Sequence, residues 1–497
     1  MKLSQLIVPL GKVQTVGSLE REVTGIAYDS RCVTPGKLFV AIRGAECDGH
    51  NYIADVADRG AVAVVCEKKG SSGGKMTRII VPDTRAVLPQ IASTFYGFPA
   101  EKLKMIGVTG TNGKTTVTFL CKYILEEALI HTGLLGTIRY EIGDRVIPAQ
   151  RTTPESLDLH FMLSKIVDDN GQCCVMEVSS HALEQHRVDG VQFDVGVFTN
   201  LTHDHLDYHG NMENYFESKK RLFIEGIKGR KDFKAVVNAD DPFGRELIAE
   251  LSGKCELLSY GLKEEASLTV SEVELSSHKT RMRVKSPQGE FMLETPLIGR
   301  YNISNTLAAV GVGLSFGVSH QTIASALGKA AAIPGRLEQL DAKQPFSVLV
   351  DYAHTADAMQ NVLSTLKEIT KGRILLLFGC GGSRDKSKRL KMGEVAASLA
   401  DYTLITTDNP RREEPRDIAS QVESGYLSKR QDGYEVELDR SFAIERIIKM
   451  ARKGDVVVLC GKGHETYQEF HGLVVPFDDR LHAMNALANL GYHAGMD

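Results

Sequence analysis

A chain of 497 residues is longer than one hydrophobic core can serve, so about three domains are expected. Hydrophobic residues make up 42% and charged residues 25%, the balance of an ordinary globular protein, and no apolar run is long enough to span a bilayer, which argues against membrane insertion. With 59 basic and 63 acidic residues the formal charge is only -4, which gives no support for a general nucleic-acid or membrane-surface binder.

The stretch Met1 to Leu10 carries a single lysine and no apolar core of signal length, so a cytoplasmic protein is expected. Nine cysteines, an odd and scattered set, fit reduced and mostly buried thiols and not a disulfide frame. Cys173 and Cys174 are adjacent in a predicted strand and should face opposite sides, so they would not share a metal. From Met1 to about Pro99, the apolar runs Lys37 to Ile42, Ala61 to Val65 and Arg78 to Val81 alternate with polar or helical segments, the pattern of a small α/β unit. Its polar stretches, Asp29-Ser30-Arg31 and Gly44 to His50, read as turns, and the local pattern favours turn chemistry alone over a ligand role without deciding between them.

Lys104 to Val108 reads as a strand and Val117 to Leu129 as an amphipathic helix, with Gly107-Val108-Thr109-Gly110-Thr111-Asn112-Gly113-Lys114-Thr115-Thr116 between them. In that setting backbone N–H groups and the helix N-terminus surround phosphate oxygens. Lys114 would neutralise the β and γ phosphates and Thr115 would ligate Mg2+. Val108 stands where the standard spacing puts glycine, so the loop is a variant of the Walker pattern.

Two further strands each empty into a polar cluster. Cys173 to Val178, with Glu177 inside it, leads into Ser179-Ser180-His181, and Val195 to Thr199 leads into Asn200 through Gly210. Carboxyl ends of parallel strands are where open α/β sheets bind ligands. The histidines between 181 and 209 point to a metal or a highly charged ligand, with Mg2+ on Glu177 and one histidine favoured. His203-x-His205-x-Asp207 also resembles the zinc run of metallo-β-lactamase-type hydrolases, but Tyr208 replaces the final histidine and His209 comes one residue late.

On the helix from Met212 to Phe223 the apolar stripe includes Lys219. An inward lysine must be paired or chemically altered, or must snorkel from the stripe's edge; the helix pattern leaves these open. Ser267 to Ile298, with the turn Pro287-Gln288-Gly289, reads as a small antiparallel sheet. A helix follows Gly299, its asparagines either caps or nucleotide contacts. After a break at Pro334-Gly335-Arg336, the strand-like runs Val348 to Asp351, Ile374 to Phe378, Tyr402 to Thr407 and Val456 to Cys460 alternate with helices, the doubly wound signature. Each empties into polar residues: Asp351 to His354, Gly379 to Lys386, Asp408 to Arg411 and Gly461 to Glu465.

Taken together, the loop Thr109 to Thr116, Glu177 to His181, Asn200 to His209, Tyr301-Asn302-x-x-Asn305, Pro334-Gly335-Arg336 and Asp351 to His354 resemble the Mur ligases of peptidoglycan synthesis, over about Asp29 to Arg480. The likeness is greatest to the branch that adds a diamino acid to UDP-N-acetylmuramoyl-L-alanyl-D-glutamate. The resemblance implies three α/β domains: residues 1–99 for the uridine nucleotide, residues 100–335 as a central P-loop ATPase-type parallel sheet with a small antiparallel sheet, and residues 336–497 as a Rossmann-like domain for the amino acid. It implies ATP on Gly110, Thr111, Asn112, Gly113, Lys114, Thr115, Thr116, Asn302, Arg336 and Asp351. Ser30, Gly44, Ala45, Glu46 and Cys47 would lie along the uridine, and Thr152, Thr153, Ser179, Gln185 and Arg187 would hold the nucleotide-sugar peptide. Two Mg2+ ions would sit on Thr115, Glu177, His205 and Lys219, the last carbamylated by CO2. Arg384, Asp408, Asn409, Pro410, Arg411, Gly461 and Glu465 would bind the diamino acid, and His354 would assist at ATP or the acyl phosphate.

Asp408-Asn409-Pro410-Arg411 resembles the version in enzymes that add meso-2,6-diaminopimelate, whose far carboxylate a guanidinium can grip with two bonds; lysine offers no such group. The expected enzyme is a monomer acting on the UDP-muramoyl-dipeptide, the diamino acid and ATP. The alternatives are the same reaction with L-lysine, a folylpolyglutamate-synthetase-like ligase, a metal-dependent hydrolase, and a non-catalytic nucleotide switch.

Overall fold

The structure is a computed structural model that describes residues 1–44, 47–68, 76–228, 230, 232–263, 265–276 and 279–493. Ala45 and Glu46, expected along a uridine, lie outside the described residues. Three larger sheets follow one another along the chain. The first has the spatial order Gln14–Val16, Thr77–Ile80, Ala63–Cys66, Lys37–Val40, Gly25–Ala27, parallel except at the Gln14–Val16 edge. The apolar runs read from sequence are its three central strands.

The central sheet has eight strands, in the order Glu256–Tyr260, Lys234–Asn238, Val195–Phe198, Lys104–Thr109, Cys173–Glu177, Thr132–Leu135, Arg139–Ile142, Arg145–Pro148. The first six are parallel and the last two form an antiparallel edge. Because side chains alternate along a strand, Ile106, Val108, Cys173 and Val175 join one core with the helices Lys114–Glu127 and Arg300–Ser315, while Met105, Cys174 and Met176 join another with Ser156–Asp168 and Met212–Ile227. Cys173 and Cys174 thus face opposite sides as expected; all nine cysteines are free, and Cys32 and Cys47 are exposed. Each large apolar side chain removed from water here stabilises the fold by about 1.5–3 kcal/mol. The antiparallel sheet Thr269–Leu275, Thr280–Ser286, Gly289–Thr295 turns at Pro287, as the sequence indicated.

The third sheet runs Glu338–Leu340, Ser347–Asp351, Val456–Cys460, Ile374–Phe378, Tyr402–Ile405, Tyr434–Val436, parallel beyond its first strand. The chain steps outward through Ile374–Phe378, Tyr402–Ile405 and Tyr434–Val436, then returns to place Val456–Cys460 inside. Helices therefore cover both faces: Ala356–Ile369, Ser387–Leu399 and Pro415–Leu427 on one, Arg440–Met450 and Asp479–Asn489 on the other. At the reversal, between Ile374–Phe378 and Val456–Cys460, the loops diverge and leave a crevice.

That crevice is braced by an ion pair in which both side chains are fully buried. Arg440 donates to Asp479 through Nε (2.7 Å) and Nη2 (2.6 Å), and also to the carbonyls of Thr407 (3.4 Å) and Cys460 (3.1 Å). One guanidinium thus holds the carboxyl ends of two strands and the last helix. Asp479→Ala leaves that cation buried without its counter-charge and is expected to lower resistance to urea by about 3–5 kcal/mol, whereas Arg440→Met with Asp479→Leu loses much less. Equal losses in the two urea titrations would contradict the electrostatic account.

Candidate active site

The strand Lys104–Thr109 delivers the chain into its loop at Gly110 (φ +145°), and the helix begins after Gly113 (φ +88°). Both positions exclude a side chain: a Cβ on Gly110 would lie 1.9 Å from Thr199 Oγ1, and one on Gly113 2.3 Å from Asn305 Oδ1. Val108 is fully buried in the core, and a Cβ on Gly107 would meet the Phe193 ring at 2.8 Å. The irregular glycine spacing is thereby explained, since Gly107 and Val108 belong to strand packing. The following strand steadies the loop: Asn112 N–H donates to Asn200 Oδ1 (2.9 Å), and Asn112 O accepts from Thr199 Oγ1 (2.6 Å) and Asn200 Nδ2 (3.1 Å).

Two lysines converge on one carbonyl of this loop. Lys114 Nζ donates to Gly110 O (3.0 Å) and Thr111 O (2.8 Å), and Lys219 Nζ donates to the same Gly110 O (2.8 Å). Lys219 is 1% exposed and lies 4.5 Å from the Tyr215 ring centre. It points inward, which removes the snorkelling alternative. Burial holds its amine well below the usual lysine range, with the nearby Lys114 adding to the effect; Lys114 is lowered chiefly by burial too. Lys220, by contrast, pairs with Glu217 and Glu250 at the surface side of the helix.

Glu177 is 1% exposed at the end of its strand. It accepts from Thr115 Oγ1 (3.0 Å), Thr137 N–H (2.8 Å) and Thr137 Oγ1 (3.0 Å). Thr137, in the turn after Thr132–Leu135, carries no local sequence signal. His205 sits at φ +54° with Nε2 3.5 Å from Asp204 and its ring 4.8 Å from that of His181. Burial pushes both imidazoles down to about 4, so they are neutral and able to offer a lone pair near neutral pH. Asp204, which sequence reasoning passed over inside the noted cluster, is pushed up by burial but held below the ordinary carboxylate range by His205, His354 and Lys388. Among the described residues no three His, Cys, Asp or Glu groups converge as a metal cage. The donors fit a hard cation such as Mg2+ that takes most of its oxygens from phosphate and water.

Beside the loop lies a cleft of about 330 Å3 between the second and third sheets, lined by Asn112, Gly113, Thr116, Asn305, Arg336, Asp351 and His354 among others. Arg336 reaches across to donate to Thr115 Oγ1 (3.0 Å), stacks 5.1 Å over Tyr352, and keeps a buried Nε with no partner among the described residues. Asp351 accepts from Leu337 N–H and Ala353 N–H, which fixes the turn that carries Arg336 and His354. His354 Nδ1 donates to Tyr352 O (2.8 Å), so Nε2 is the acceptor nitrogen of the neutral ring. Asn302 is buried, and its amide donates to Ile298 O (2.9 Å) and accepts from Asn305 (3.0 Å). The cleft is reached by Asn305, while Asn302 stands behind it. Asp357, not singled out from sequence, accepts from Asn112 Nδ2 (3.0 Å) and ties the third sheet's first helix to the loop.

Thr152, Thr153, Ser179, Gln185 and Arg187 are brought together along the edge beyond Glu177. Thr153 Oγ1 donates to Glu177 O (2.8 Å) and accepts from Ser179 N–H (3.0 Å), while Arg187 donates to Thr153 O (3.2 Å) and Gln185 Oε1 (2.6 Å). Thr152 Oγ1 lies 3.1 Å from Thr137 Oγ1, which accepts its hydrogen bond while donating its own proton to Glu177. Ser30 opens a short helical turn on the first sheet, where Gly44 N–H donates to Cys47 O (2.8 Å). That unit is joined to the central one by Tyr28 OH donating to Asp158 (2.6 Å) and by Arg85 beside Glu155 (3.4 Å).

In the crevice of the third sheet Asp408, Asn409, Gly461 and Glu465 gather around the fully buried Lys462. Its Nζ donates to Asn409 Oδ1 (3.2 Å) and Glu465 Oε2 (3.0 Å), and Asn409 Nδ2 donates to the same Glu465 oxygen (2.9 Å). A Cβ on Gly461 (φ +110°) would meet Asp408 Oδ2 at 2.6 Å. Pro410 is buried in the turn, Arg411 follows at φ +51°, and Arg384 is exposed on the neighbouring loop.

Comparison with known proteins gives three consecutive matches: residues 22–96 to the Mur ligase family catalytic domain, 108–313 to the Mur ligase middle domain, and 335–463 to the Mur ligase glutamate ligase domain. Among similar proteins are two UDP-N-acetylmuramoyl-L-alanyl-D-glutamate--2,6-diaminopimelate ligases. That of Syntrophomonas wolfei is 42% identical over 98% of this chain and 99% of its own, and that of Solibacter usitatus 45% over 95% of each. A solved structure of a ligase of that name is similar with TM-score 0.70 and 30% identity over 99% of both chains. A Mycobacterium tuberculosis folylpolyglutamate synthase complexed with ADP and AMPPCP, 16% identical at TM-score 0.63 over 76% of this chain and 92% of its own, shares the fold. Gly110→Ala is expected to weaken ADP binding roughly tenfold or more in calorimetric titration, since left-handed strain and the Thr199 clash both oppose the loop's shape; unchanged affinity would contradict the steric account.

Proposed function

The chain belongs to the Mur ligase family, and from that premise we propose that it joins meso-2,6-diaminopimelate to the D-glutamate γ-carboxylate of UDP-N-acetylmuramoyl-L-alanyl-D-glutamate at the expense of ATP. The observation that carries this reading is the meeting of two carboxyl edges: the phosphate loop of the second sheet and the Asp351–His354 turn of the third share one cleft, joined by Arg336 on Thr115. ATP held by the loop thus faces the sheet whose crevice carries Arg411. The protein is a cytoplasmic monomer in this reading, and no helix among the described residues is long and apolar enough to cross a membrane.

A carboxylate is a poor electrophile, and ATP supplies the activation. The γ-carboxylate attacks the γ-phosphorus, giving an acyl phosphate and ADP; the amine then attacks the acyl carbon and phosphate leaves with the C–O electron pair. Lys114 and Arg336 would draw together anions that otherwise repel, a matter of positioning and electrostatics. Mg2+ would be held by Thr115, Glu177 and His205, with Lys219 as a carbamate, and would take negative charge from the phosphate oxygens. His354 Nε2 would accept a proton or hydrogen bond at the phosphoryl group. Thr153, Ser179, Gln185 and Arg187 would orient the peptide, and Ser30, Gly44 and Cys47 the uridine.

Carbamylation of Lys219 is supported by its burial and by its sharing of Gly110 O with Lys114: a second cation there is costly, and reaction with CO2 converts it to an anion able to face Mg2+. Asp408, Asn409, Gly461 and Glu465 would take the reacting end of the diamino acid, and Arg411 with Arg384 the far carboxylate.

Phosphate release in the presence of the UDP-muramoyl-dipeptide, ATP and Mg2+ is expected with meso-diaminopimelate and at most weakly with L-lysine. Release with neither would overturn the ligase reading, and preference for lysine would overturn only the assignment of Arg411. Lys219→Ala should lose most activity, roughly a hundredfold or more for a residue that organises charge at the reacting phosphates, and regain part of it with added short carboxylic acids. Unchanged turnover in that variant would exclude the carbamate.

A further inference from the structure

The hairpin Tyr467–Phe470 and Leu473–Pro476 follows the Glu465 loop and was not among the elements read from sequence. Its first strand lies along the Asp408–Arg411 turn and is bonded to it through Gln468 and Glu469. Gln468 is 6% exposed, and its Nε2 donates to Thr407 O (3.3 Å) and Asp408 O (3.0 Å). Glu469 N–H donates to Asn409 Oδ1 (3.1 Å), Arg411 N–H donates to Glu469 O (3.0 Å), and Arg411 Nε donates to Glu469 Oε2 (3.0 Å). Arg411 Nη1 donates to Gly382 O at 2.9 Å. Among the described residues this leaves Nη2 as the guanidinium nitrogen without a protein partner.

Arg411 has a left-handed backbone (φ +51°), a conformation that a non-glycine residue adopts at a cost of about 1–2 kcal/mol. Something outside the turn must hold it. The bonds above do so, and they also set the guanidinium's rotation, since Nε on one carboxylate and Nη1 on one carbonyl fix two of its three corners. A long side chain in one geometry loses several rotamers, and fixing it beforehand removes that cost from ligand binding.

We infer that the strand Tyr467–Phe470 is the template that sets the far-end specificity of the amino-acid site. Gln468 holds the backbone of the Asp408–Arg411 turn, and Glu469 is the positioning residue that orients Arg411 with Nη2 directed to a ligand carboxylate. This rests on the ligase reading above. Glu469 acts through Arg411, so its contribution belongs to substrates that carry a second carboxylate and not to those that end in an ammonium alone.

The test is steady-state kinetics of the full chain with UDP-muramoyl-dipeptide, Mg2+ and ATP, varying meso-diaminopimelate or L-lysine, with the ATP KM measured beside them. Glu469→Ala is expected to raise the meso-diaminopimelate KM about tenfold, the usual loss for a charge-assisted bond, with kcat and the ATP KM within about twofold of the parent. Glu469→Gln, which keeps an acceptor for Nε, should recover most of that loss. Gln468→Ala should raise the KM for both amino acids. Should the alanine variant fail to fold, Glu469→Asp, one methylene too short to reach Nε, is expected to show the same selective rise. A meso-diaminopimelate KM within twofold of the parent in these Glu469 variants overturns the inference. So does an ATP KM that rises in step, since that marks general damage. A parent that releases phosphate with neither amino acid defeats the ligase reading itself, whereas an active parent with indifferent variants defeats only the role of Glu469.

Discussion

Two lysine ammonium groups donating to a single backbone oxygen, Gly110 O, set the electrostatic problem around which the centre of the molecule is arranged. A carbonyl dipole cannot neutralise two cations in a partly buried site. The shortfall in negative charge would suit the loop to a phosphate, and it makes the more deeply buried Lys219 the position where conversion to an anion would relieve repulsion. Glu177, one strand away, is saturated by Thr115 and Thr137 on one side and supports Thr153 through its own carbonyl on the other. A change at Glu177 would therefore be felt both at the phosphate loop and at the Thr153–Ser179–Arg187 chain.

The sheet architecture turns these local features into a working arrangement. Parallel strands send their loops to one edge, so the phosphate loop, Glu177 and the His205 cluster share the carboxyl edge of the central sheet. The third sheet brings its own carboxyl edge against it through Arg336 on Thr115 and Asp357 on Asn112. Arg440 braces the crevice, where a guanidinium and a carboxylate with no exposure to water tie the ends of the Tyr402–Ile405 and Val456–Cys460 strands to the last helix. The same device recurs at Arg389, fully buried and bonded to Glu413 and Gly381 O beside the Asp408–Arg411 turn. Buried guanidiniums suit this task because one planar fork satisfies several carbonyls and a carboxylate at once.

Much of this was legible in the chain itself. Apolar runs bounded by polar clusters marked the three central strands of the first sheet, three of the six parallel strands of the central sheet and four of the five in the third, because a strand buried on both faces reads as a near-continuous apolar run. Thr132–Leu135, Lys234–Asn238 and Glu256–Tyr260 were not read. The glycine loop was recognisable from its flanks, and Lys219 from its place on an apolar stripe. The edge strands Glu338–Leu340 and Tyr434–Val436 and the hairpin after Glu465 were not, since short, half-exposed segments carry little periodicity. Asn302 could not be told from Asn305 as the residue in the cleft, because a three-residue step on a helix leaves both on neighbouring faces.

What the sequence determined by itself is the inventory: which residue types stand at strand ends, which loop has the strand-loop-helix setting of a phosphate site, and which lysine falls on an apolar stripe, all fixed by periodicity and by the conformations glycine permits. Only the tertiary structure decided the pairings. That Gly110 O serves both lysines, that Arg336 spans two sheets to reach Thr115, and that Glu469 accepts from Arg411 depend on segments tens to hundreds of residues apart. Such contacts are set by strand order and by which edge each loop leaves from, and no local pattern encodes them.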